Sequence, residues 1–205
     1  KAKSTNIGDV FVATGDKEIF DEVTKIGGKC ILTEKDHQTG TDRIHEAFQK
    51  LEINNVEYII NLQGDEPMID IQDIKNLNIK AIDNNSEITT LACKIGDKKD
   101  LKKNNIVKVI TNDCLTNKNI SKANSFSREI ILNYKLNIYN HIGIYMYKVS
   151  TLKKFVDLKQ SKNEITQNLE QMRAIDNNLA INVILANSTS IGIDTEEDFL
   201  ELKKI

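Results

Sequence analysis

Tyr58-Ile59-Ile60-Asn61-Leu62-Gln63-Gly64-Asp65-Glu66-Pro67 decides the reading of this chain, because an apolar run stops there at a glycine, two carboxylates and the sole proline. A short apolar run bounded by Gly and Pro reads as a buried strand, and between helical segments it belongs to a parallel sheet. Ligands of open α/β sheets bind beyond the carboxyl ends of the strands, which directs Gln63, Asp65 and Glu66 into that crevice. Carboxylate oxygens in that position suit a hard cation such as Mg²⁺ carrying a phosphate. An acidic turn that merely closes a strand accounts for this stretch equally well on its own.

Upstream, residues 10–14 form a compact β-branched strand, and Ile19, Phe20, Val23 and Ile26 recur at helical spacing until Gly27-Gly28 stops the helix. Residues 30–32 give a second short strand, followed by the polar loop His37-Gln38-Thr39-Gly40-Thr41-Asp42-Arg43 and a helix with Ile44, Ala47, Phe48 and Leu51 on its apolar face. A loop that feeds a helix N-terminus after a strand gathers free amides and the positive dipole end, which suits a phosphate. Plain N-capping by Thr39 or Thr41 is the alternative.

Downstream, the pattern predicts a helix over 71–82, a strand over 88–93 and an apolar run over 105–111 with Lys108 inside it. Lys108 belongs either on a solvated face or, at a sheet edge beside the crevice, against a phosphate. In His141-Ile142-Gly143-Ile144-Tyr145-Met146-Tyr147, period-two alternation sets His141, Gly143, Tyr145 and Tyr147 against an apolar face of Ile142, Ile144 and Met146. The polar face fits a sugar pocket, or a strand whose aromatic hydroxyls are satisfied within the protein. Residues 164–176 read as one helix that buries Ile165, Leu169 and Met172 and carries an exposed Glu170–Arg173 ion pair. After a strand over 180–186, Ile191-Gly192-Ile193-Asp194 again ends a short apolar run in a carboxylate. Asp194 and Glu197 fit a capping box for a last helix, while Asp65 and Asp194 together supply what a bridging metal site needs.

The 205 residues, 40% of them hydrophobic, are enough for one globular domain spanning 1–205. Acidic and basic residues nearly balance, at a net charge of -2, so no basic face announces nucleic acid or a membrane surface. No run approaches the ~18 apolar residues of a membrane span and no signal-peptide pattern opens the chain, which predicts a cytoplasmic protein. Cys30, Cys93 and Cys114 are widely spaced and lack His at metal-ligand spacing, so buried reduced thiols are expected.

The ordered set of motifs resembles the 3-deoxy-manno-octulosonate cytidylyltransferase family over nearly the whole chain. The resemblance rests on Val12-Ala13-Thr14, the stretch Asp36-His37-Gln38-Thr39-Gly40-Thr41-Asp42-Arg43, Asn61, Gln63-Gly64-Asp65-Glu66-Pro67 and Val107-Lys108-Val109. It continues through Phe126-Ser127-Arg128, His141-Ile142-Gly143-Ile144-Tyr145, Leu169-Glu170-Gln171-Met172-Arg173 and Ile193-Asp194-Thr195. It implies an α/β fold of the nucleotide-diphospho-sugar transferase, glycosyltransferase-A-like type, with a mostly parallel, mixed central sheet flanked by helices. The implied activity couples CTP to the eight-carbon acid sugar Kdo, releasing pyrophosphate and giving CMP-Kdo for lipopolysaccharide synthesis.

By position, the resemblance gives Asp65 and Asp194 to Mg²⁺, and Thr39, Gly40, Thr41, Arg43 and Gln63 to the cytidine nucleotide. Arg128, His141, Tyr145, Glu170 and Gln171 fall to the sugar, with Arg128 a bidentate partner for its carboxylate. A homodimer, and a small sugar-binding and dimerisation excursion around 112–150, are further implications.

Four departures stand out. The family opens with a strand and a glycine- and base-rich triphosphate loop that this chain begins after, so the expectation is a truncated version of a longer polypeptide. Gly15 replaces a usual acidic residue, Glu129-Ile130-Ile131 lacks the usual proline, and the connection from Arg128 to His141 is short. Two alternatives remain at this level: activation of another acidic sugar of the sialic acid type, and a non-catalytic nucleotide- or sugar-binding protein.

Overall fold

Residues 1–96, 101, 103–129, 136–188, 192–193, 196, 199–200 and 203 are described by the structure, a computed structural model. Asp194, the capping box with Glu197 and most of the expected last helix lie outside the described residues, as do residues 130–135 of the connection from Arg128 to His141.

A 3₁₀ turn at Ala2–Thr5 leads to β1 (Val12–Thr14), α1 (Lys17–Lys25) and β2 (Cys30–Leu32). The Asp16 carboxylate accepts the amides of Glu18 and Ile19 and so fixes where α1 begins. β1 and β2 pair in parallel, and α1 packs on both. This layer covers α1 only partly, which leaves the expected core positions Ile19 and Ile26 exposed. α2 (Gly40–Lys50) is capped by Thr39, whose hydroxyl accepts the Asp42 amide at 3.2 Å.

The main sheet has six strands in the order β3 (Tyr58–Leu62), β7 (Asn137–Lys148), β4 (Ile88–Cys93), β8 (Ile181–Leu185), β6 (Ser121–Ser127) and β5 (Lys108–Thr111). A parallel sheet is expected around the organising strand, but β3 pairs antiparallel with β7. Among the described strands only β1–β2 and β4–β8 are parallel, so the α/β fold stands with a mixed sheet in which antiparallel pairs predominate. Apolar runs alone do not give strand direction, because burial on both faces produces the same sequence either way.

Two cores sandwich the sheet. On one face, α3 (Ile71–Asp83) seats Ile74, Leu77 and Ala81 against Leu91, Ile142, Ile144, Met146 and Ile184. On the other, α4 (Val149–Asp157) and α6 (Met172–Asp176) bring Leu152, Phe155 and Met172 onto Ile88, Phe126, Tyr145, Tyr147 and Val183. The period-two alternation of β7 thus assigns its tyrosines to one core and its aliphatics to the other.

β7 serves two partners along its length. Residues 137–140 pair with β5, and residues 140–148 pair with β4 and β3. Opposite the Thr90/Leu91 step, the register jumps from Tyr145 to Ile142, a bulge that holds Gly143 and Ile144.

The single helix expected over 164–176 is two: α5 (Lys162–Gln167) and α6, separated by Asn168 in the left-handed region at φ 52°. The break exposes Ile165 and turns Glu170 and Gln171 into a tight connection. The expected Glu170–Arg173 surface pair does not form. Arg173 is buried and clasps Glu164, with Nη2 to Oε1 at 2.5 Å and Nε to Oε2 at 2.9 Å. Its Nη1 lies 3.4 Å from Asp42, and its guanidinium stacks 4.7 Å from the Phe155 ring. All three cysteines are free; Cys93 is buried, Cys30 is half-buried and Cys114, contrary to expectation, is exposed.

Candidate functional site

β3 ends at Leu62, and the turn after it folds back onto the bulge of β7. Gly143 donates its amide to Glu66 Oε1 at 2.9 Å, so Glu66 satisfies an N–H that the bulge removes from the ladder. A Cβ at Gly143 would lie 2.7 Å from Gln63 Oε1 and 3.3 Å from Glu66 Oε1, which is why glycine stands here. Across the strand, the Thr90 hydroxyl lies 2.7 Å from the Ile144 carbonyl and 2.9 Å from His141 Nε2. The expected crevice residues are therefore gathered, but Gln63 and Glu66 also build the turn.

Asn61 and Tyr145 face each other across β3 and β7, and Tyr145 also faces Thr90 on β4. Asn61 Nδ2 and the Tyr145 hydroxyl are both buried with no hydrogen-bond partner. Beside them the Tyr147 hydroxyl meets Thr41 Oγ1 at 3.2 Å, and Thr41 donates its hydroxyl at 2.9 Å and its amide at 3.3 Å to the Glu170 carboxylate. Gly40 stands next to Asn61, with a built Cβ 3.9 Å from Nδ2. The structure thus brings Thr39, Gly40, Thr41, Tyr145 and Glu170 to one polar wall.

Burial governs the ionisation of that wall. It pushes the Tyr145 phenol well up, helped by Tyr147 and Glu170, so Tyr145 stays a protonated donor. Glu170 is likewise raised by burial, against the hydrogen bonds from Thr41 that lower it. His141 is pulled down to about 3 by burial and by the nearby Arg128 charge, so its imidazole is neutral at physiological pH. Phe126 packs edge-on against His141 at 5.2 Å, and Arg128 Nη1 donates to the Asn105 carbonyl at 3.3 Å. Gln171 is buried at the start of α6.

Arg43 lies apart from this wall. Its guanidinium donates to Thr33 Oγ1 and to the carbonyls of Glu34 and Lys35, at the carboxyl ends of β1 and β2. A Cβ at Gly15 would come within 2.7 Å of Arg43 Nη1, so the glycine in place of an acidic residue makes room for that guanidinium. Lys108 is not on a solvated face. It is fully buried, donating to the carbonyls of Lys103 at 2.5 Å and Arg128 at 3.1 Å.

For the expected metal pair, Asp65 is exposed at the strand end, and its carbonyl accepts the amide of Ile193 at 2.8 Å. Asp194 lies outside the described residues, so the structure tests only one half of the pair. Among the described residues no group of three or more His, Cys, Asp or Glu is placed to hold a metal. An open groove of about 720 Å³ runs along α2, lined by His37, Asp42, His45 and Glu46, and none of the expected site residues lines it.

The sequence pattern of the cytidylyltransferase family matches residues 1–183. The chain belongs to the cytidylyltransferase family. A 3-deoxy-manno-octulosonate cytidylyltransferase from Thermodesulfovibrio yellowstonii is 42% identical, the match covering 97% of this chain and 82% of the relative. One from Rickettsia typhi is 37% identical over 97% of this chain and 80% of its own length. Among solved structures, a CMP:2-keto-3-deoxy-manno-octonic acid synthetase in complex with CTP superposes with a TM-score of 0.81 at 31% identity, over 97% of this chain and 83% of that one. A glucose-1-phosphate thymidylyltransferase from Bacillus anthracis, at 15% identity and a TM-score of 0.64, shares the nucleotide-diphospho-sugar transferase fold.

Three features of this cytidylyltransferase escaped the sequence reading. Thr90 was visible only as a polar residue inside an apolar strand. Asp73 is almost fully buried in the first turn of α3, where it accepts the amides of Asn187 and Ser188 together with both of their side chains. Nothing local in the sequence marks it. The unpartnered Asn61 amide arises from strand register, which no single segment contains.

Proposed function

We propose that this chain transfers the cytidylyl group of CTP to Kdo, giving CMP-Kdo and pyrophosphate for lipopolysaccharide synthesis. The observation that carries the proposal is the pair of buried, unpartnered polar atoms, Asn61 Nδ2 and Tyr145 Oη, on the wall shared with Thr41 and Glu170. Unmet hydrogen bonds of that kind cost stability unless a ligand completes them, and a polyhydroxylated sugar does so.

In the reaction the anomeric oxygen forms a bond to the α-phosphorus, the bond from that phosphorus to the bridging oxygen of pyrophosphate breaks, and the hydroxyl proton passes to solvent. Arg128 binds the sugar carboxylate as a fork, and the neutral His141 beside it neither competes for that carboxylate nor repels the cation. Tyr145, Glu170 and Gln171 orient the sugar hydroxyls. Thr39, Gly40, Thr41 and Gln63 contact the nucleotide at the α2 N-terminus, where Glu170 already occupies the Thr41 amide.

Asp65 and Asp194 offer hard oxygen donors for Mg²⁺, which when bound supplies positive charge against the phosphate oxygens and alignment of the two reactants. Support within the described residues is the exposed Asp65 and the backbone bond that ties Ile193 to it. A homodimer, assembled through the excursion around 112–150 of a single 1–205 domain, and a cytoplasmic location complete the proposal. Among the described residues no helix is long and apolar enough to cross a membrane.

The deciding experiment is pyrophosphate release with CTP, Mg²⁺ and Kdo, against CTP alone and against a sialic acid. Release that needs Kdo supports the proposal. Equal release with the sialic acid would move the specificity, and none from the folded protein would favour a binding role.

A further inference from the structure

We propose that Lys108 is a positioning residue for the carboxylate-binding end of the sugar site, holding Arg128 and His141 in one frame. The inference rests on the reading of Arg128 given above. A fully buried ammonium is costly to place in a sheet, and this one is not paired with a carboxylate in any ion pair found among the described residues. It instead donates to two backbone carbonyls, Lys103 at 2.5 Å and Arg128 at 3.1 Å. Charge-assisted bonds to carbonyls are stronger and more directional than neutral ones, so the ammonium fixes the backbone of Arg128 just beyond the end of β6.

The surrounding bonds close a frame. Arg128 Nη1 donates to the Asn105 carbonyl at 3.3 Å, so main chain and guanidinium of Arg128 are both held by residues 105–108, where β5 begins. The residue before Lys108 reaches the other half of the site, because the Val107 carbonyl accepts the His141 amide at 2.9 Å. In the ladder Lys108 stands opposite Ser127 on β6 and Asn140 on β7, the immediate neighbours of Arg128 and His141. Val107-Lys108 is therefore tied to both residues.

The test is a comparison of Lys108→Met, which keeps the chain length without the donors, with Arg128→Gln, reading kcat and the two KM values separately. Lys108→Met is expected to raise the KM for Kdo at least fivefold while leaving the KM for CTP within twofold. In the double variant the rise should not exceed that of Arg128→Gln alone, because both act on the same contact. Should Lys108→Met fail to fold, Lys108→Arg, which keeps the charge in a different donor geometry, is expected to show the same selective rise. An unchanged KM for Kdo, equal effects on both substrates, additive effects in the double variant, or loss of folding in both Lys108 variants would overturn the proposal. If Arg128→Gln itself leaves the KM for Kdo unchanged, the assignment of Arg128 fails instead, and with it the basis for this inference.

Discussion

Arg173→Met removes the cation that ties four helices together, and its cost follows from what it leaves behind. Glu164, 3% exposed, accepts three bonds from the guanidinium while its other bonds close the capping box of α5 with Ser161. Truncating one partner of such a buried pair strands the other charge, at a cost of about 3–5 kcal/mol. Loss of the stacking on Phe155 adds to this, and the methionine chain recovers part of the buried area. A domain stable by roughly 5–15 kcal/mol would lose about a fifth or more of its margin. Urea denaturation at pH 7, followed by far-UV circular dichroism, measures it. Glu164→Gln combined with Arg173→Met should recover at least half of the loss, because the amide needs no counter-charge and still reaches the Ser161 amide, now 3.0 Å from the carboxylate. A loss below about 1 kcal/mol, or a double variant no better than the single, would refute the reasoning.

Gly143→Ala drives a methyl against Gln63 and Glu66, and the expected result is a loss of about 1–3 kcal/mol together with weaker nucleotide binding, read by thermal denaturation and CTP titration; a neutral variant would show that the turn gives way freely. Tyr145→Phe deletes a buried hydroxyl that has no partner, so the ligand-free protein should melt at the same or a higher temperature while the KM for Kdo rises, and a clear drop in melting temperature would contradict it. His141 titrates at about 3 in the folded chain against about 6.5 unfolded. The unfolded chain therefore binds the proton first, and stability falls as pH drops below about 6.5, by up to about 1.4 kcal/mol per unit from this group. His45, also lowered by burial, acts in the same direction, so His141→Gln should flatten the slope of the urea midpoint between pH 6.5 and 5 without abolishing it; identical slopes would rule the assignment out.

Elements set by local periodicity and capping were legible in the sequence. The alternation in β7, the cap of α2 at Thr39 and the stop of α1 before Gly27-Gly28 each follow from a few neighbouring residues. What depends on pairing between distant segments was not. The direction of β3 is decided by β7, some eighty residues later, and apolar content is silent about it. The break of α5 from α6 turns on Asn168 adopting a left-handed conformation, open to asparagine at little cost but never announced by it. The same holds for the site. Tyr145, His141 and Glu170 were recognisable by type and order, whereas the burial of Arg173, the turn of Arg43 toward β2 and the anchoring by Lys108 emerge only once three or more segments meet.

The aromatic row on β7 also makes the sheet an optical reporter. The chain has five tyrosines and no tryptophan, and Tyr139, Tyr145 and Tyr147 are all buried along this one strand. The Tyr145 and Tyr147 rings lie 5.8 Å apart at 29°, close enough to share excitation, and the Tyr147 hydroxyl touches Thr41 on the polar wall. Tyrosine emission in this protein is unmasked by indole and weighted toward the wall on which the sugar is proposed to sit. A hydrogen bond newly formed at the Tyr145 hydroxyl should therefore change emission intensity and near-ultraviolet dichroism, which allows occupancy to be followed without a label or a coupled reaction.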